Sequence, residues 1–165
     1  MPKTDFFSTS YVTEQPRRDV RFGVVDDGHL ARTTVDDHES EWDAVVENQD
    51  GLLINFVAVD HNIEVRRSNG ELESMCDALL WRERWVCFIE IKDRRDGWIA
   101  EAIEQLKSTI TVFKLSHDWR TYRCREAYAC NRHHGHFHAS KMQEMNDFRT
   151  ETGFRLNIVN TITAR

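Results

Sequence analysis

Proline is nearly absent from this chain. Pro2 and Pro16 are the two it has, so no Pro-rich linker divides it into separate units. Long apolar runs are missing too, since no window approaches the ~18–20 apolar residues that a membrane-spanning helix needs. The stretch Met1-Pro2-Lys3-Thr4-Asp5 lacks the apolar run of a signal peptide, which makes cytoplasmic residence the default expectation. The four cysteines, Cys76, Cys87, Cys124 and Cys130, form no Cys-x-x-Cys pair and read as reduced core residues. Positive charge is in deficit: the net charge of −6 argues against a nonspecific coat on DNA. Three catalytic signatures are also absent, the Gly-x-Ser-x-Gly nucleophile elbow, the Gly-x-x-x-x-Gly-Lys phosphate loop and the Gly-x-Gly-x-x-Gly dinucleotide turn.

What is present fits one globular domain of 165 residues. Residues 1–35 read as a β-rich extension, with strand-like composition at 6–12 and 20–25 and a hairpin signal at Asp26-Asp27-Gly28 before a return strand over 30–35. Asp36 or Asp37 offers an N-cap for a helix through about residue 48, with Trp42, Val45, Val46 and Gln49 on one face and Gly51 ending it. Strands follow at 52–59, 74–81 and 85–92, the last two joined as a hairpin by Arg82-Glu83-Arg84. Asp96 caps a helix over 98–115, whose Ile99, Ile103, Leu106, Ile110 and Phe113 form an amphipathic stripe. A strand at 122–130, a helix at 139–150 with Met142, Met145 and Phe148 inward, and a last strand over 154–162 complete the pattern. Interleaving of this kind gives an α/β (α+β) fold, a three-layer sandwich with a central mixed sheet flanked by helices, its core in 36–130 and a C-terminal helix and strand in 131–165.

Charge inside two of these strands is the anomaly. Asp77 lies in an apolar run, and Glu90 and Lys92 lie two apart in Cys87-Phe88-Ile89-Glu90-Ile91-Lys92, so they share one face of the sheet. Burying such groups costs several kcal/mol unless they are paired, metal-bound or wet. Phosphodiester hydrolysis answers the pattern. It requires charge stabilisation at the phosphoryl group and hydroxide at neutral pH, and Mg²⁺ supplies both while preferring carboxylate and carbonyl oxygens. Asp77, Glu90 and the carbonyl of Ile91 are the candidate ligands, and Lys92 is placed to orient water or stabilise developing charge. An acidic chain is compatible with this chemistry, because cations bind first and then face the phosphates. The blander reading is a cross-strand salt bridge on a half-exposed sheet.

An acid on one strand followed by acid-x-Lys on the next resembles the PD-(D/E)xK nuclease superfamily, with its restriction-endonuclease-like core. Here the motif is Asp77, then Glu90-Ile91-Lys92, and the resemblance covers roughly 36–130. The proline that often precedes the aspartate is Cys76 in this chain. The resemblance implies an Mg²⁺-dependent nuclease (Mn²⁺ also serving), with DNA a better substrate than RNA. It implies a further metal-ligating glutamate from the first helix, Glu47 ahead of Glu41 or Glu39, and a polar site residue on the long helix, Gln105. A core this small leaves little room for sequence reading, which implies a homodimer or a partner subunit. The rival is a catalytically inactive relative that binds nucleic acid or protein.

Three basic clusters stand out: Arg82 with Arg84, Arg94 with Arg95, and Arg120 with Arg123 and Arg125. The first two flank the charged strands and are candidate nucleic-acid contacts. The segment His133-His134-Gly135-His136-Phe137-His138 reads as a histidine-rich loop, with phosphate contact or a zinc site involving Cys130 as alternatives. Among the tryptophans, Trp42 reads as core, and Trp81 and Trp85 as packing at a sheet end or as exposed contacts.

Overall fold

The computed structural model describes residues 3–132 and 141–165, and the histidine-rich segment lies outside them. The described chain is mixed α/β with two sheets. A five-stranded sheet runs in the order β4 (Asn55–Ala58), β5 (Ala78–Arg82), β6 (Trp85–Lys92), β7 (Cys124–Asn131), β8 (Arg155–Asn157). Its first three strands are antiparallel and its last three parallel. A four-stranded sheet runs β2 (Arg32–Thr34), β1 (Arg21–Val25), β3 (Ala44–Glu47), β9 (Thr161–Thr163). Two helices, α1 (Trp98–Ser116) and α2 (Met142–Thr152), complete the regular elements. No helix among the described residues is long and apolar enough to cross a membrane.

Period-2 alternation in the central strand decides the layering. Val86 and Phe88 of β6 pack with Leu106, Ile110 and Phe113 of α1 and with Phe148 of α2. Trp85, Cys87, Ile89 and Ile91 of the same strand pack with Phe22, Val24 and Val46 of the smaller sheet. The layers are therefore helices, large sheet, small sheet. A second sheet covers the face where a helix was expected.

That difference traces to residues 36–48. The expected helix is instead a 3-10 turn at Glu39–Glu41 followed by β3. Ala44 and Val46 point into the core, and Val45 and Glu47 point outward. Trp42 lies flat against Gly23, where a Cβ would sit 2.3 Å from its ring. The expected strand at 6–12 is likewise a turn and a 3-10 helix at Thr9–Tyr11. The last strand, expected over 154–162, is split between the two sheets. Asn160 holds the break by bonding the main chain of Asn131 with both ends of its amide, at 2.9 Å each. Helix α1 begins at Gly97 in the left-handed region (φ 67°) with no side-chain cap, so Asp96 does not cap it. Met142 of α2 is exposed, while Phe148 is buried as expected.

Candidate active site

The charged strands meet where β5 begins and β6 ends. Ala78 lies opposite Ile89 in their register, and one further step sets Asp77 against Glu90, a spacing of about 5 Å between Cβ atoms. Asp77 donates its own N–H to Ile89 O at 3.0 Å. Its Oδ2 accepts the N–H of Ile91 at 2.7 Å, so the carboxylate stands where the next carbonyl of the ladder would be. Ile91 presents its N–H and C=O along the same edge, which turns its carbonyl toward the mouth of this cluster. Asp77 is 7 % exposed and Glu90 2 %.

Lys92 sits on the helix-facing side of β6 and closes the cluster. Its Nζ is 2.8 Å from Glu90 Oε2 and 3.1 Å from Glu101 Oε1, and it donates to Gln105 Oε1. Helix α1 presents Glu101 and Gln105 one turn apart on the face above β6. Thr109, a turn further on and fully buried, accepts the N–H of Cys76 at 2.7 Å while donating to Gln105 O at 2.9 Å. The residue just before Asp77 is thereby tied to the helix that carries Gln105.

The smaller sheet contributes a carboxylate that the sequence reading passed over. Asp26, just past the end of β1, stands near enough to Asp77 to raise its carboxyl pKa. It is held there through its main chain: its N–H donates to Asp43 Oδ2 at 2.7 Å and its carbonyl accepts from Arg132 Nη2. Arg132 also clamps Asp43, 2.6 Å from Nε to Oδ1. In the sequence Asp26 belongs to the turn signal Asp26-Asp27-Gly28, and such dipeptides mark turns in many chains.

The electrostatics follow from three acids brought together, two of them buried. Burial, then Glu90 and Asp26, push the Asp77 carboxyl far above the usual carboxylate range, against the opposing Ile91 N–H. Burial raises Glu90 as well, and Lys92 opposes it. Glu90 Oε1 is buried with no hydrogen-bond partner among the described residues. An unpartnered carboxylate oxygen beside a second acid is costly unless a cation or a proton held between the two carboxyls meets it. Among the described residues no group of three or more His, Cys, Asp or Glu side chains is arranged to hold a metal ion. The donor set that fits a hard cation here is two carboxylates, Asp77 and Glu90, with the Ile91 carbonyl and water, an inventory Mg²⁺ accepts.

Other expected site residues lie elsewhere. Glu47 is on β3, paired with Arg21 at the start of β1. Asp26 follows the other end of that strand, about 16 Å away by strand rise. The expected first-helix glutamate is therefore not at the cluster; Asp43 and Asp26 are the carboxylates the smaller sheet brings to this end. Glu39 also pairs with Arg21. Arg82 and Arg84 flank the β5–β6 turn, at the opposite end of β6 from Glu90 and again about 16 Å distant. Arg94 pairs with Glu101 near Lys92, and Arg95 is exposed in the loop before α1. Trp85 is buried, its Nε1 donating to Glu126 Oε1 at 2.9 Å, so it is not an exposed contact. No family model matches this chain, and no curated protein or solved structure is significantly similar to it.

Proposed function

We propose that this protein is a metal-dependent nuclease with a restriction-endonuclease-like core, acting on DNA in preference to RNA. The observation that carries the reading is the pairing of Asp77 with Glu90 at the end of two buried strands, Glu90 Oε1 unpartnered and Lys92 alongside. Asp77, Glu90 and the Ile91 carbonyl would hold Mg²⁺ or Mn²⁺. When bound, the cation would supply charge neutralisation at the phosphoryl group and an acidified water.

The chain's own residues account for the remainder. Glu101 and Gln105 hold the Lys92 ammonium at the rim, where it orients the attacking water and offsets charge building on the phosphate. The Ile91 N–H fixes the Asp77 carboxylate, so the acid needs no reorganisation when substrate arrives. Asp26 flanks the pair and adds to the repulsion that favours a protonated Asp77 when no cation is present. Arg94, beside Glu101, and Arg95 are the nearest of the expected phosphate contacts. Arg82 and Arg84 are too distant to serve the same phosphate. A homodimer or a partner subunit would supply the wider substrate contact that so small an acidic chain lacks.

The test is cleavage of plasmid, linear and single-stranded substrates with Mg²⁺, Mn²⁺ or EDTA. Metal-dependent cleavage that falls about 10²–10³-fold in Lys92→Ala, and is lost in Asp77→Ala, supports the enzyme. Binding without cleavage under every condition, unchanged in both variants, would identify a non-catalytic module instead.

A further inference from the structure

The third basic cluster, around Arg123 and Arg125, acquires a setting at the opposite pole of the large sheet. Where β7 starts, Arg123, Arg125, Arg149, Arg155 and Arg165 line one cavity of about 250 Å³. Five arginines against the single carboxylate of Glu126 give a local formal charge of +4 in a chain whose net charge is −6. Glu126 is already committed. It is 3 % exposed and accepts from Arg165 Nε at 3.0 Å, Trp85 Nε1 at 2.9 Å and Asn157 Nδ2 at 3.3 Å. Among the described residues no carboxylate pairs with Arg123, Arg125, Arg149 or Arg155.

This convergence is built rather than incidental. Trp119 stacks on Phe154 and carries Arg125 and Arg120 over its ring, 4.8 and 4.5 Å from the ring centre to each guanidinium carbon. Lys114 lies 4.3 Å over the same ring, and its ammonium pKa is lowered, first by burial and then by Arg120 and Arg125. Gly153 closes against Trp119, where a Cβ would come within 2.8 Å of the ring. That contact, with a positive φ of 79°, sets the last turn of α2 and the start of β8 side by side. Arg149 and Arg155 are thus carried into the cavity by two fixed elements.

Arg123, Arg149, Arg155 and Arg165 reach solvent around the cavity without a carboxylate partner except for Arg165, and their planar forks match the oxygens of phosphate. The cavity is compact, which suits one or two phosphate groups rather than the length of a duplex backbone. Trp119 already carries cations and Phe154, so it is no stacking platform for bases. Trp85 pairs with Cys124 at this pole and Lys92 with Asn131 at the other. Seven residues of strand, about 23 Å, therefore separate the cavity from the acidic cluster.

We propose that the arginine cavity is a second ligand site, binding the terminal phosphate or pyrophosphate group of a nucleotide or of a nucleic-acid 5′ end. The site stands independently of the nuclease reading. Calorimetric titration of the full chain tests it, with pyrophosphate, ATP, and a short oligonucleotide with and without a 5′-phosphate as probes. Asp77→Ala, Arg149→Ala and Arg155→Ala run in parallel, with circular dichroism melts to show that each is folded. One saturable pyrophosphate site is expected, unchanged in Asp77→Ala and weakened about tenfold or more by each arginine variant. Tighter binding of ATP assigns the source to free nucleotides, and a preference for the 5′-phosphorylated oligonucleotide assigns it to strand ends. Absence of saturable binding, or binding undiminished in both folded arginine variants, overturns the proposal. So does oligonucleotide binding that ignores the 5′-phosphate while pyrophosphate does not bind.

Discussion

At the scale of single residues, the cluster is set by carboxylates that fold against their own ionisation. Asp77 and Glu90 have folded pKa values above the unfolded carboxylate range of about 4. Between the two values the native state binds more protons than the unfolded chain. Stability without metal therefore falls as pH rises from about 4 through the folded values, which lie at about 7 for Glu90 and about 10 for Asp77. Asp77→Asn is neutral without taking up a proton on folding and keeps an acceptor for the Ile91 N–H. In EDTA at pH 8 that variant should be more stable than the parent by several kcal/mol, and the gain should vanish below pH 4. Urea denaturation at the two pH values measures it, and equal stability at pH 8 would show that Asp77 carries no such burden. Glu90, Lys92 and Asp77 were legible in the sequence because charge in a buried strand breaks its hydrophobic pattern. Asp26 was not legible, because an acid in a turn breaks no pattern, and only the packing of two sheets places it beside Asp77.

At the scale of elements, the hairpin strands β5 and β6 and the long helix declared themselves, while β3, the 3-10 turn at Thr9–Tyr11 and the split of the last strand did not. Strand β6 occupies the residues its composition indicated, since a run that is apolar on both faces suits a central strand. Residues 36–48 misled because Trp42, Val45 and Val46 satisfy a helical spacing as readily as β3 does. Short apolar runs are ambiguous in this way until a partner is known. The partners of β3 are β1 and β9, and the latter lies more than a hundred residues further along the chain. Helix α1 does more than cover the sheet, because Thr109 ties it to the residue before Asp77. Thr109→Val preserves shape and strands the Cys76 N–H, so it should cost about 1–3 kcal/mol. It should also weaken divalent-metal stabilisation, read as a smaller Mn²⁺-induced rise in melting temperature. A full-sized rise would separate Thr109 from the cluster.

At the scale of the whole molecule, the smaller sheet acts as the second wall of the acidic pole. Three of its strands come from the first third of the chain and one from the end, and Arg132, just after β7, joins it to the large sheet through Asp43 and the Asp26 carbonyl. Arg132→Ala leaves Asp43 buried and unpaired. It should cost about 2–3 kcal/mol, and release of Asp26 should lower cleavage more than stability alone explains. Rescue of cleavage in Arg132→Lys to the parental rate would show that charge rather than the two-pronged clamp matters. The acidic pole should take a divalent cation, and calorimetric titration of Mn²⁺ into the full chain and into Glu90→Gln tests this most directly. One saturable site is expected in the parent and its loss in the variant. No binding to the parent, or equal binding to both, would contradict it.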